Sequence, residues 1–363
     1  MVYFSLGYSS LSNYAWVCLL ARIWLDALTP KQALLATSLA KVLQSKGHEV
    51  LLTVRDYDYT IRVAEIQGFK PLIVGGYGGG RLVGKLVADL ERMRRLVEVI
   101  EGADIDVLIA YPNPSAARVA FGLGIPYIAL TDSPHSVIAS RLSLPLASYV
   151  VFSYCIPRET IEVYTYSSTR LVQYNGFDEL EWIKTQKPNK KVIEELGLEE
   201  KEYIIVRLEE KYAAYYPKEK GVTLSELAVR LSKYVKVVAL PRYGDQWEEL
   251  RGYENILLLQ EPVHGVSLEY YAIAVVTGGG TMAREAALLG VPGVNLFPEK
   301  LYVDECIIDL GLPLYKPKNI DDAEKLLYKI IKDPDQFRID TRKLLDKLKK
   351  PSDTILLLLR GVK

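Results

Sequence analysis

Short apolar runs alternate with amphipathic stretches along almost the whole chain, and glycine or proline separates most of them. The first run, 23–25, ends at Asp26 and leads into Thr29-Pro30, a helix start with proline in its first turn. That helix runs to about residue 46 and stops at Gly47. A strand over 49–54, a helix over 59–67 and a short strand at 71–74 follow. The loop 75–80 (GGYGGG) then opens an amphipathic helix, 82–101. Strands at 106–110, 126–130 and 149–153, with helices over 115–123 and 134–147, complete the first half. After a link at 173–182 the alternation restarts, with strands at 203–206, 235–240, 255–259, 272–276 and 293–297. Helices at 321–332, 341–349 and 352–359 close the chain. Strand–helix alternation with short links predicts parallel sheets covered on both faces, here an α/β protein of two doubly wound halves. Two segments echo each other, AARVAFGLGIPYIAL (116–130) and MAREAALLGVPGVNL (282–296), as two similar halves would. Ligands of such sheets bind beyond the carboxyl ends of the strands, so those loops carry the candidate chemistry.

The richest of these loops follows the strand 272–276: Thr277, then Gly278, Gly279 and Gly280, then Thr281, expected to cap the helix 282–289. Glycines there admit a group close to the backbone, and the N–H groups of the following helix favour a phosphate. The spacing is neither G-x-G-x-x-G nor a P-loop, and a turn that only packs helix on sheet is the alternative. Glu285 lies about one helical turn beyond Thr281, able to accept hydroxyl protons from a sugar or ribose. Arg207 and Arg242 each follow a predicted strand, where a guanidinium can neutralise a diphosphate; Arg207 ranks first because Glu209 and Glu210 mark a polar surrounding. His264, in PVHGVSL (262–268), is a further candidate for a phosphate or base contact.

In the first half the strongest site is TDSPHS (131–136), where Asp132 and His135 fit a general base and its orienter. Helix capping by Asp132 or Ser133 ahead of Pro134 is the competing account. Asp26 and Asp56 also end strands, and either could bind acceptor hydroxyls or serve as base. Lys31 and the 75–80 loop could contact an anionic acceptor, while Asn113-Pro114-Ser115 and Asn175-Gly176 read as turns.

GGGT-x-x-x-E after a YYA-x-AVV strand resembles the donor site of GT-B glycosyltransferases and of UDP-N-acetylglucosamine 2-epimerases. The resemblance implies that Gly278–Gly280 and Thr281 hold the nucleotide diphosphate and Glu285 the ribose. From about Ile23 onward the chain also resembles a mainly archaeal family, domain of unknown function 354, through LDALTPKQ (25–32), GHEVLLTVRD (47–56), AARVAFGLGIP (116–126), TDSPHS (131–136), QYNGFDE (173–179) and GGGTMAREAALLGVP (278–292). The implied architecture is GT-B-like: two Rossmann-like domains facing across a cleft. Residues 21–172 would form the acceptor domain and 173–363 the nucleotide-sugar donor domain, with the last helix crossing back. The implied activity is sugar transfer from a nucleotide-diphosphate sugar, UDP-linked by expectation, to a sugar or lipid-linked acceptor. An epimerase or hydrolase, or a nucleotide-sugar-binding protein without catalysis, are the alternatives. No dense set of carboxylates and histidine of the epimerase kind stands out along the sequence.

Composition narrows the partners. Lys+Arg and Asp+Glu are both 45, so no bulk charge points to nucleic acid. Three histidines and no paired cysteines give no metal constellation, and no cofactor beyond the sugar nucleotide substrate is expected. Cys18, Cys155 and Cys306, odd in number and far apart, fit no disulfide framework, and a reducing cytoplasm is the expected location. The segment 137–156, joined by 355–360, is apolar; core burial is its first reading and peripheral membrane contact toward a lipid-linked acceptor its second. Residues 1–20 match nothing. Their apolar end, 15–20, falls short of the ~20 residues of a membrane span. They read as an extra lead-in, or as a start placed too early with initiation near 17–20.

Overall fold

The computed structural model describes residues 20–210 and 223–360. The lead-in through residue 19, with its alternative start, and Cys18 lie outside the described residues. Seven parallel strands build the first sheet: β1 (Arg22–Ala27), β2 (Glu49–Asp56), β3 (Leu72–Gly76), β4 (Val107–Ala110), β5 (Tyr127–Thr131), β6 (Tyr149–Ser153) and β7 (Arg170–Tyr174), in the order β3-β2-β1-β4-β5-β6-β7. Six build the second: β8 (Tyr203–Arg207), β9 (Lys236–Leu240), β10 (Ile256–Leu258), β11 (Ala274–Thr277), β12 (Gly293–Asn295) and β13 (Leu314–Tyr315), in the order β10-β9-β8-β11-β12-β13. In each, the order reverses between the first strand of the sheet and its fourth, so β1/β4 and β8/β11 are the switch points where ligand crevices open.

The strands are apolar on both faces because helices cover both. In β8, Ile204 and Val206 enter one core while Tyr203 and Ile205 enter the other, the period-2 alternation of a pleated strand. The core of the first sheet does not stop at the domain edge. Ala283, Ala287, Val303 and Ile307 of the second half pack into it, as do Ile355 and Leu359 of the last helix, Pro351–Leu359. That helix therefore crosses back onto the first half. Lys349 donates its N–H to Asn175 O at 2.7 Å and Ser352 N–H to Glu181 Oε2 at 2.8 Å. Gly176 permits the crossing: a Cβ there would lie 1.9 Å from Lys349 O. β7 extends the first sheet to Tyr174, across the join expected at 172/173.

Several local expectations are corrected. The helix over 134–147 is shorter, Val137–Ser143 followed by a 3-10 turn, so neither Asp132 nor Ser133 caps it. Gly75 and Gly76 belong to β3 rather than to the loop. The two-residue β13 has no hydrophobic run long enough to announce it. In the segment 137–156 Leu144, Val150, Val151, Phe152 and Ile156 are core, with Val137, Ile138 and Leu142 exposed. Among the described residues no helix is long and apolar enough to cross a membrane.

The cysteine expectation fails as well. Cys155, just after β6, and Cys306, in the helix Tyr302–Asp309, form a disulfide with Cα atoms 5.8 Å apart. The pair is 151 residues apart in sequence and is brought together by packing between the two halves, which spacing alone cannot reveal. A bridge closing so long a loop restricts the unfolded chain strongly. Cys155→Ser/Cys306→Ser is expected to lose about 2–4 kcal/mol of unfolding free energy. Urea unfolding with and without dithiothreitol checks this: reductant should move the wild type to the variant's midpoint and leave the variant unmoved.

Candidate functional site

The carboxyl ends of the two sheets face a common cavity of about 460 Å³, within the roughly 300–1,000 Å³ usual for small-molecule sites. One wall is the turn after β11. Gly278, Gly279, Gly280 and Thr281 all line it, and the helix Gly280–Leu288 begins there. A Cβ on Gly278 would come within 2.8 Å of Glu209 Cβ and 3.0 Å of Leu224 Cδ1, so glycine is required for this turn to sit against its neighbours. Thr277 Oγ1 accepts from Gly279 N–H at 3.0 Å and shapes the turn. Thr281 does not cap the helix as expected; Gly279 takes the cap position without a side-chain bond. The N-terminal N–H groups and positive dipole end of the helix are thus presented at the cavity wall, as an anion requires.

Arg207, the last residue of β8, and Arg242, just beyond β9, line the same cavity. Both point at Asp58 of the loop after β2: Arg207 Nη2 lies 3.4 Å and Arg242 Nη1 3.1 Å from Asp58 Oδ2. Burial, with Arg242 adjacent, lowers the Arg207 pKa to about 10, so an additional anion there is electrostatically welcome.

Glu285 lines the cavity from the second turn of the same helix, largely buried. Its Oε1 accepts from Trp182 Nε1 at 2.7 Å. It also shares a hydrogen bond with Glu269, another buried carboxyl on the cavity wall. Burial pushes the Glu285 pKa up to about 7, and burial together with Glu285 drives Glu269 well above the usual carboxylate range. Near neutrality the pair holds a proton and can both donate to and accept from hydroxyls. His264 is not on the cavity wall. It caps the helix Gly265–Tyr270, with Nδ1 3.3 Å from Ser267 N and 2.7 Å from Ser267 Oγ.

The wall from the first half carries Asp132 and His135. The structure separates their roles. Asp132 accepts from Lys31 Nζ, from Arg284 Nη2 at 2.8 Å and from Ser133 Oγ at 2.7 Å. Burial alone would raise its pKa, but Lys31 and Arg284 outweigh that and hold it ionised far below the usual range, a poor base. His135 is half-buried on the cavity, its ring 5.9 Å from that of Phe297 across the cleft. Burial, opposed by Asp132 and Glu299, lowers its pKa from 6.5, so the imidazole is neutral at pH 7. Asp26 is not in the cleft. It lies 2% exposed beneath it, paired with Arg92 Nη2 at 2.6 Å and accepting from Thr53 and Asn113, so it can serve neither as base nor as acceptor ligand.

On and beneath the cavity wall lies a charged cluster whose members are scattered over several of the quoted motifs, none of which announces their pairing. Arg284, 4% exposed, pairs with Asp132, with Glu179 at 2.8 Å and with Asp304 at 3.7 Å. Asp178 accepts from Tyr111, and burial with Asp132 and Glu179 raises its pKa to about 6 against the pull of Lys31. These carboxylates come from the loop after β5, the 173–182 link and three helices, so only the fold gathers them. The available signal was Arg284-Glu285 in an alanine-rich helix whose neighbours are all buried. Among the described residues no group of three or more His, Cys, Asp or Glu is arranged to hold a metal ion.

A family model described as protein of unknown function DUF354 matches residues 21–356. An uncharacterised protein of Methanocaldococcus jannaschii, MJ0665, is 28% identical over 295 residues, 79% of this chain and 85% of its own. Among solved structures, the UDP-GlcNAc 2-epimerase of Methanocaldococcus jannaschii, in complex with UDP-GlcNAc and UDP, is similar with a TM-score of 0.69 at 14% identity. The alignment covers 93% of this chain and 99% of that one. The Neisseria meningitidis UDP-GlcNAc 2-epimerase bound to UDP-GlcNAc reaches 0.60 at 12% identity over 93% and 99%. The spinosyn forosaminyltransferase SpnP reaches 0.61 at 15% over 94% and 99%. These likenesses establish the GT-B-like fold.

Proposed function

The chain belongs to the DUF354 family, and from the cleft of this member we propose that it binds a nucleotide-diphosphate sugar, UDP-linked, and transfers the sugar to an acceptor hydroxyl. The observation that carries the reading is one cavity lined at once by a glycine turn opening a helix, by two arginines, by a buried glutamate and by a neutral histidine on the opposite wall. In this reading Gly278–Thr281, Arg207 and Arg242 take the diphosphate, and Glu285 the ribose. His135 removes the proton of the acceptor hydroxyl as its oxygen bonds to the anomeric carbon. The bond from that carbon to the diphosphate breaks, and the leaving charge falls on the helix N-terminus and the arginines. Asp132 positions Lys31 and Arg284 and does not take the proton. UDP is the first nucleotide to try because a Methanocaldococcus epimerase of this fold carries UDP-GlcNAc and UDP.

A panel of UDP, GDP, ADP, dTDP and their sugar conjugates, followed by thermal shift and calorimetry, tests the donor. We expect selective stabilisation by UDP compounds, about 2.7 kcal/mol at a hundredfold excess over Kd. Glu285→Ala is expected to weaken that binding about tenfold, or about 1.4 kcal/mol. No response to any nucleotide would overturn the reading. One observation favours a second reaction on the same substrate class: Asp178 and Glu285 have pKa values of about 6 and 7 beside the cavity, where groups that exchange protons near neutrality suit epimerisation. Incubating UDP-GlcNAc with no acceptor separates the two, since only an epimerase then forms a sugar epimer. Binding without turnover in either format would leave a nucleotide-sugar-binding protein.

A further inference from the structure

The loop between β2 and the helix Thr60–Ile66 reaches from the first half across the cleft mouth onto the strand exits of the second. Asp58 stands between Arg207 and Arg242, its side chain 9% exposed. Tyr57 donates its hydroxyl to Glu210 Oε1 at 2.8 Å, and Tyr59 to Gln260 O at 3.1 Å. Arg62 Nε lies 3.3 Å from Glu261 Oε2. Tyr57, Asp58 and Tyr59 of the loop, with Arg62 of the helix behind it, thus tie this segment to the exits of β8, β9 and β10. Asp58 itself has φ +49°, a left-handed conformation that aspartate tolerates better than most residues.

Arg207 and Arg242 are the two cations that the proposed function assigns to the diphosphate, and a carboxylate of the chain already stands between them. We propose that Asp58 is a built-in phosphate mimic whose carboxylate latches the cleft closed and must leave when the sugar nucleotide enters. This rests on the nucleotide-sugar reading and adds to it a competitor carried on the opposite domain. A carboxylate offers two oxygens and one charge. A diphosphate offers more of both, so exchange favours the ligand once the loop swings out. The latch makes the closed, unliganded state the resting one. Apparent affinity is then reduced by the fraction of molecules in which Asp58 is disengaged.

Asp58→Asn keeps the side chain's shape and removes its charge. With a latch that leaves about one molecule in ten open, the variant is expected to bind UDP and inorganic pyrophosphate about tenfold more tightly than wild type in calorimetry. Structural damage alone would weaken binding, so a gain of affinity is the informative direction. Tyr57→Phe loosens the same loop without touching either arginine, and should shift affinity the same way by less. It also serves if the first variant folds poorly. Unchanged or weaker UDP binding in both variants, with wild type binding normally, overturns the latch and leaves the nucleotide-sugar reading intact. Failure of UDP to bind wild type and both variants alike overturns that reading and the latch with it.

Discussion

Replacing Arg284 by methionine is expected to cost about 3–5 kcal/mol of unfolding free energy, the scale for removing one partner of a buried ion pair. Arg284 is 4% exposed and contacts Asp132, Glu179 and Asp304, carboxylates from three separate stretches of chain. Methionine fills the volume of the stem but leaves Lys31 facing Asp132, Asp178 and Glu179. The desolvation of those carboxylates is then no longer repaid. The loss should depend on pH with a definite sign. In the wild type Asp132 has its pKa held below the unfolded value, so its contribution is present above that unfolded value and is lost as pH falls. In the variant Asp132 keeps Lys31, but Asp304, already raised by burial against the pull of Arg284, loses that guanidinium and recovers by taking a proton. The deficit between the two proteins should therefore be larger at pH 8 than at pH 5. Urea unfolding at both pH values measures it. A deficit under about 1 kcal/mol, the worth of an exposed pair, or one that does not change with pH, would show that the cluster is not the keystone of the interface. Arg284→Lys should recover only part of the loss, because one ammonium cannot reproduce a guanidinium that meets Asp132 and Glu179 through different nitrogens.

The contrast between this cluster and the glycine turn explains what the sequence could reveal. Strand runs, glycine stops and the GGGT turn are local, and each sits in the structure within a few residues of its expected place, from β1 beside Asp26 to β12 at Gly293. Side-chain partners are not local. Asp26 looks like a cleft residue because it ends a strand, yet it answers Arg92, whose place on an amphipathic helix gives no hint of burial. His264 looks like a ligand because it precedes the glycine unit, yet a helix six residues long uses it as a cap. Cys155 and Cys306 look unrelated until the helix Tyr302–Asp309 is laid against the first half. Asp58 stands outside every segment singled out in the sequence, and its meaning comes from two arginines 149 and 184 residues further on. For the cysteines and for Asp58 a pairing across the interface decides the outcome, and no short window of sequence contains both partners.

His135→Ala should lower kcat about 10²–10⁴-fold once an acceptor is identified, the usual contribution of a positioned general base. UDP binding should change little, because the residues assigned to the nucleotide lie on the opposite wall. The pH profile is the sharper readout. A base works only unprotonated, so kcat/KM should rise with pH on a single acid limb and level off near neutrality. That limb should lie below pH 6.5, since burial disfavours the imidazolium more than Asp132 and Glu299 favour it. Glu299→Gln removes one of those carboxylates without touching the Lys31–Asp132–Arg284 cluster. It should move the limb further toward acid, whereas a histidine that merely packs against Phe297 would leave the profile unmoved. Full turnover by His135→Ala would transfer the base assignment to the groups that titrate near neutrality on the cavity wall. Glu285, with its proton shared with Glu269, would then be first in line, and the acid limb would sit near 7 rather than below 6.5.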